Sequence, residues 1–281
     1  MADATAVQTA SLEALREKAR LLRKHIITMT TAARSGHPSS SLSAVELLVA
    51  LYFGGILRHD PGHPTWPERD RFILSKGHAA PVLYAALAEA GYFPVEELAT
   101  LRRIGSRLEG HPILGKLPGV EASTGSLGQG LSIGVGHALA GKLDAHSYRV
   151  FVMIGDGEND EGQIWEAALS ASKYQLDNLT CIVDHNGYQQ TGSIHDVMPL
   201  SPLPDKWRAF GWYTLEVDGH DLNAVLSTLA AARAFRDSPT AIIAYTRKGK
   251  GVSFVESDYA YHGKALSPEE ADRALEELGW K

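Results

Sequence analysis

A single cysteine, Cys181, excludes any disulfide within the chain. It lies inside an apolar run, where a small core residue is expected rather than a reactive thiol. No hydrophobic stretch reaches the length a bilayer requires, and no apolar segment of signal-peptide type opens the chain, so a cytoplasmic protein with no membrane contact is expected. Excess positive charge is also missing. Against 33 Asp and Glu stand 27 Lys and Arg, and the net charge of -6 leaves no basic footprint for nucleic acid. Repeats and low-complexity tracts are absent. What remains is 281 residues, enough to bury one large core. A single α/β domain over 1–281 is expected, with a flexible N-terminus over 1–10.

The centre of the chain carries the strongest pattern. Two short, wholly apolar runs, Val150 to Ile154 and Leu179 to Val183, flank an amphipathic segment. They predict a β-α-β unit whose strands are covered on both faces. Each run ends in oxygen-bearing side chains: Gly155-Asp156-Gly157 after the first, and Asp184-His-Asn186-Gly-Tyr188 after the second. In a parallel unit, Asp156 and Asn186 then sit at the carboxyl edge of the sheet, where open α/β sheets bind ligands. A carboxylate, an amide oxygen and the Tyr188 backbone carbonyl suit a hard cation such as Mg²⁺ or Ca²⁺, which takes protein oxygens together with phosphate oxygens. Gly155 and Gly157 permit a sharp turn and close approach of a phosphate. Either turn alone is common; together, after two buried-type strands, they favour a metal site.

Elsewhere strands and helices alternate. Helices are expected over Ser11–Arg34, over Ser43–Phe53 with Ser41 or Ser43 as cap, over Ala79–Gly91, Val95–Ile104, Leu203–Phe210, Leu222–Phe235 and Ser267–Leu278. Further strands are expected from Arg71, over Trp212–Val217 and over Thr240–Tyr245, with Gln190–His195 a loop. The fold expected is a doubly wound, mainly parallel sheet with helices on both faces. Histidines recur beside Gly or Pro at turns: His37, His78, His111 and His262. The glycine-rich run Ser123–Gly136 feeds a helix. It suits either an anion site at the helix N-terminus or close packing through Gly128, Gly130 and Gly134.

These segments together resemble transketolase. Gly155-Asp156-Gly157 with Asn186 thirty positions on is similar to the thiamine diphosphate signature. Ser35-Gly-His-Pro38, Asp70-Arg-Phe-Ile-Leu-Ser-Lys-Gly-His78, Gly110-His-Pro112, Thr124-Gly-Ser-Leu-Gly-Gln-Gly130, Gly157-Glu-Asn-Asp-Glu-Gly162 and Lys248-Gly-Lys-Gly-Val252 with His262-Gly263 follow in that family's order. The resemblance implies a thiamine diphosphate-dependent transfer of a two-carbon ketol unit from a ketose (phosphate) to an aldose or other acceptor. By resemblance, Asp156, Asn186 and the Tyr188 carbonyl hold Mg²⁺ (or Ca²⁺). Gly125, Ser126, Leu127, Gly155, Gly157 and Glu158 join His78 and His262 at the cofactor. His37, His78, His111 and His262 act as catalytic histidines, suited to this by a pKa near neutrality and two ring nitrogens.

The resemblance covers only the diphosphate-binding half of a full-length transketolase. It therefore implies the N-terminal subunit of a split enzyme, with the pyrimidine-binding half on a separate C-terminal partner and an α2β2 heterotetramer. Glu161 and Glu166 stand where the family has glutamates near the subunit interface, and Trp165 and Leu169 are expected in core or interface. Two stretches depart from the pattern: Asn159-Asp160, where an apolar residue is common, and Gln189-Gln190-Thr191. Other functions compatible with such a half are delivery of the two-carbon unit to a lipoyl group or unusual acceptor, and a non-catalytic thiamine diphosphate-binding or regulatory subunit.

Overall fold

The computed structural model describes residues 10–280; the expected flexible stretch lies, but for residue 10, outside the described residues. Helix α1 (Leu12–Ala33) starts on Ser11, whose hydroxyl accepts the Ala14 N–H at 3.2 Å, and stops where Arg34 turns left-handed. A short α2 (Pro38–Leu42) and α3 (Val45–Phe53) follow, then strand β1 (Arg71–Leu74) and α4 (Ala80–Glu89). After a long irregular stretch come α5 (Gln129–Leu143), β2 (Val150–Gly155), α6 (Gly162–Lys173) and β3 (Leu179–His185). A two-residue hairpin, β4 (Tyr188–Gln189) and β5 (Gly192–Ser193), leads into α7 (Ile194–Val197) and α8 (Leu203–Ala209). The chain ends through β6 (Tyr213–Asp218), α9 (Leu222–Ala234), β7 (Thr240–Tyr245) and α10 (Pro268–Glu277).

Five strands form one parallel sheet in the order β1-β2-β3-β7-β6, as the alternating pattern requires. Successive side chains go to opposite faces. Phe151, Met153, Ile182 and Ile242 pack under α1, α3, α4, α9 and α10, while Val152, Ile154, Cys181, Val183 and Ile243 pack under α5, α6 and α8. Cys181 is thus fully buried core. The chain moves from β1 to β3 in one direction, jumps to the far edge at β6, and returns through α9 on the opposite face to β7. Its winding therefore reverses between β3 and β7, and a crevice opens there at the carboxyl edge. Among the described residues no helix is long and apolar enough to cross a membrane.

Four local expectations are corrected. Val95–Ile104 is not an α-helix: a 3-10 turn over Val95–Thr100 ends before Arg102, whose φ of 57° breaks the helical path. The helix expected from Ser43 begins at Val45, as α3, and a separate short helix, α2, precedes it where none was expected. Neither Ser41 nor Ser43 caps it; Ser41 Oγ donates back to the His37 carbonyl and Ser43 Oγ donates to Asp184. Gln190–His195 is no plain loop, since β5 and the start of α7 fall within it.

Candidate active site

Asp156 and Asn186 each lie one residue beyond the end of adjacent parallel strands, where Gly155 is in register with Asp184. Asp156 is 2% exposed, and its two oxygens accept the backbone N–H of Gly157 at 2.9 Å and of Gly187 at 2.6 Å. The second contact carries the carboxylate across to the peptide that follows Asn186. The Asn186 amide donates to Asp184 Oδ2 at 3.2 Å, which turns its oxygen the other way, toward the Tyr188 N–H at 3.2 Å. Asp156, Asn186 and Tyr188 line one cavity of about 640 Å³. Burial raises the Asp156 carboxyl above its ordinary pKa, and the neighbouring Asp184 adds to this. Among the described residues no three His, Cys, Asp or Glu side chains converge as a metal site. The donors here are one carboxylate, one amide oxygen and one peptide carbonyl. All are hard oxygens around a buried carboxylate that is unfavourable without added positive charge, and this fits a divalent cation that also takes phosphate oxygens.

Three of the four expected histidines form a triangle. The His37 ring lies 5.1 Å from His78 and 5.4 Å from His262, and His78 lies 5.5 Å from His262. Three chain segments build it: the start of α2, the turn after β1, and the loop after β7. His111 approaches from a fourth segment and packs on Gly125, whose φ of 146° and lack of a Cβ allow the ring to within 2.9 Å of where a Cβ would stand. All four histidines line the cavity. Burial pushes His37 down to about 4, with Arg102 adding to this, and His262 down to about 3, with Lys248 adding. His78 lies well below its ordinary value for the same first reason. The rings are therefore neutral near pH 7, each with one nitrogen able to donate and one to accept. The Nδ1 atoms of His37 and His262 are buried with no hydrogen-bond partner.

These shifts predict a stability effect. In the unfolded chain His37 and His262 titrate near 6.5; folded, they refuse the proton until about 4 and about 3. Between those limits the unfolded state binds more protons, so stability falls as pH drops through the window and is unaffected above it. His262→Gln is expected to lose less melting temperature than wild type between pH 7 and about pH 5, measured by calorimetry without cofactor. Parallel losses would refute the assignment.

Gly125, Leu127, Gly155, Gly157 and Glu158 also line the cavity, whereas Ser126 is exposed and outside its lining. Glu158 is spoken for: its carboxylate accepts from Ser75 Oγ at 2.5 Å, Gly128 N at 2.8 Å and Gly155 N at 3.0 Å. The glycine run proves to be a packing device. Gly128 N, just before α5, serves Glu158 and Gly130 N serves Ser75 Oγ, so these two amides already have partners. A Cβ on Gly130 would stand 2.4 Å from Ser75 Oγ, and one on Gly134 would stand 2.4 Å from Val152. Glu161 lines the cavity; Glu166 and Leu169 are exposed, and Trp165 packs between Trp207 and Phe210.

Sequence reasoning missed the charge beneath this site. Lys76 and Lys248, 1% exposed each, line the cavity, and Lys248 is pushed down to about 8, first by burial and then by Lys76. Asp184, fully buried, pairs with the Lys76 ammonium and accepts from Ser43, Thr246 and Asn186. Burial pushes the Asp184 carboxyl up, but Lys76 and the hydroxyl donors outweigh it and hold it below its ordinary value. The signal was the pair of lysines set beside glycines in Ser-Lys-Gly-His and Arg-Lys-Gly-Lys-Gly. Asp184 stood directly after the apolar run, but nothing local marked it as the partner of Lys76.

A parallel sheet with oxygen donors, neutral histidines and two buried lysines at its carboxyl edge is suited to an anionic cofactor. The chain matches the family described as transketolase, thiamine diphosphate binding domain, over residues 14–281, and it belongs to that family. It is 45% identical over 264 residues to the 6-deoxy-6-sulfo-D-fructose transketolase subunit SqwG of Clostridium sp. (strain MSTE9), covering 94% of this chain and 96% of that one. It is 40% identical over 272 residues to one of the named subunits of the apulose-4-phosphate transketolase of Phocaeicola vulgatus, covering 97% and 95%. Among solved structures, a transketolase of Pichia stipitis in complex with sedoheptulose-7-phosphate matches with a TM-score of 0.91 at 30% identity, over 95% of this chain but 41% of that one. The chain thus spans nearly the full length of the two bacterial relatives and about two-fifths of the solved transketolase.

Proposed function

We propose that this chain is the diphosphate-binding subunit of a two-subunit, thiamine diphosphate-dependent transketolase, transferring a two-carbon ketol unit from a ketose to an aldose acceptor. The observation that carries this reading is the meeting of Asp156 and Asn186 at the mouth of two parallel strands, under a triangle of neutral histidines in one cavity. Asp156, Asn186 and the Tyr188 carbonyl would hold Mg²⁺; Gly125, Leu127, Gly155 and Gly157 would leave room for the diphosphate; Lys76 and Lys248 would add positive charge beneath it. When bound, thiamine diphosphate supplies the electron sink for carbon–carbon cleavage. His37, His78, His111 and His262 would orient substrate hydroxyls and move their protons. Burial keeps His37, His78 and His262 neutral, each able to accept one hydrogen bond and donate another. The two relatives of matching length bear the names of a sulfonated and a phosphorylated sugar, which supports an anionic ketose as substrate class.

Their names as subunits also support a partner. That partner would carry the pyrimidine-binding half, and two copies of each would form the enzyme. The test is a ketol-transfer assay on the purified chain, with and without the partner subunit, thiamine diphosphate and Mg²⁺. The chain alone is expected to turn nothing over, and all components together to restore transfer. Robust transfer by the chain alone overturns the split-enzyme reading.

A further inference from the structure

The turn that presents Asp156 is held from beneath by Asn159, a side chain to which the proposed function gives no role. Asn159 is 1% exposed, in the 3-10 turn Gly157–Asp160 after β2, where an apolar side chain would fill the same space. Instead its Nδ2 donates to the carbonyls of Gly155 at 2.9 Å and Asp156 at 3.2 Å. Its Oδ1 accepts the Trp207 indole N–H at 3.2 Å, and its own backbone carbonyl accepts the Trp165 indole N–H at 2.9 Å. The two indoles lie 5.4 Å apart, and Trp207 packs edge-on against Trp212 at 4.9 Å. A buried amide costs stability unless its donors and acceptor are all used, and here they are. Both hydrogens go to the two peptide carbonyls that set the direction of the Asp156 side chain.

We propose that Asn159 is a positioning residue: its amide pins the Gly155 and Asp156 carbonyls onto the Trp165–Trp207 pair and so fixes the aim of the Asp156 carboxylate toward cation and diphosphate. This rests on Asp156 being the metal ligand. Partners that orient a metal ligand from behind typically change metal affinity about 10- to 100-fold when removed. The experiment titrates the chain, combined with its partner subunit, calorimetrically with thiamine diphosphate at saturating Mg²⁺, and records thermal unfolding of the chain without cofactor, for wild type, Asn159→Leu and Trp212→Phe.

Asn159→Leu is expected to weaken binding about 10-fold or more. Trp212→Phe gives up its hydrogen bond to the Ala168 carbonyl and shrinks a buried ring but leaves every hydrogen bond of Asn159 in place, so it should lose melting temperature while keeping affinity close to wild type. If Asn159→Leu does not fold, Asn159→Asp serves: it retains the acceptor for Trp207 and sets a carboxylate against the two carbonyls, with the same loss expected. Unchanged affinity in the Asn159 variant, or affinity falling in step with melting temperature in both variants, overturns the proposal. Wild type that takes up no cofactor even with its partner subunit overturns the metal-site reading, whereas wild type that binds beside an unaffected Asn159 variant overturns this inference alone.

Discussion

Asp156→Ala is expected to abolish Mg²⁺-dependent uptake of thiamine diphosphate. Asp156 is the one carboxylate in the proposed ligand set; the amide and peptide oxygens beside it carry no charge, and hard divalent cations depend on that charge for affinity. The loss should exceed the roughly 10- to 100-fold seen when a partner behind a ligand is removed. Calorimetric titration with and without Mg²⁺ measures it. Asp156→Asn, which preserves shape and removes the charge, should behave the same way. The melting temperature of the cofactor-free Asp156→Asn chain is expected to fall, because the amide oxygen accepts only one of the Gly157 and Gly187 N–H groups and its NH2 faces the other, so affinity is read against that loss. Unchanged affinity in either variant would show that the cation binds elsewhere.

The largest loss of stability is expected from Asp184→Ala. Asp184 joins four parts of the fold at once: Ser43 before α3, Lys76 after β1, Thr246 after β7, and Asn186 beyond its own strand. Removing it strands the Lys76 ammonium, 1% exposed, without its counter-charge. Breaking a buried pair from one side costs roughly 3–5 kcal/mol. A double variant, Lys76→Met with Asp184→Leu, removes both charges and should recover much of that, while losing the lysine from the cavity. Urea unfolding of the three proteins decides it. A single variant losing under about 1 kcal/mol would show that the pair is solvated or already weak.

The two predictions differ in how far the sequence foretold them. Asp156, Asn186 and the four histidines were legible because each stands beside glycine or proline at the end of a patterned run, and such punctuation marks turns whatever the tertiary context. The same reasoning gave the parallel sheet, since Val150 to Ile154 and Leu179 to Val183 are apolar throughout and so need cover on both faces. Asp184 was legible as a carboxylate at a strand end, but its partners were not. Its partners lie 141, 108 and 62 positions away along the chain, and only folding brings them together. Asn159 looked like a surface departure from pattern and is a buried junction between two tryptophans.

By itself the sequence determined the types of the main strands and long helices, the alternation that forces a three-layer fold, and which side chains stand at strand ends. These follow from local sterics and from hydrophobic period, which act over a few residues. Tertiary structure alone decided that Gly130 and Gly134 of α5 serve packing, that the Gly128 and Gly130 amides answer to Glu158 and Ser75, and that two lysines line the cavity, one of them paired with the buried Asp184. The reason is one of range: hydrogen bonds and charge pairs act over a few ångströms of space, and distance along the chain says nothing about which groups will come that close.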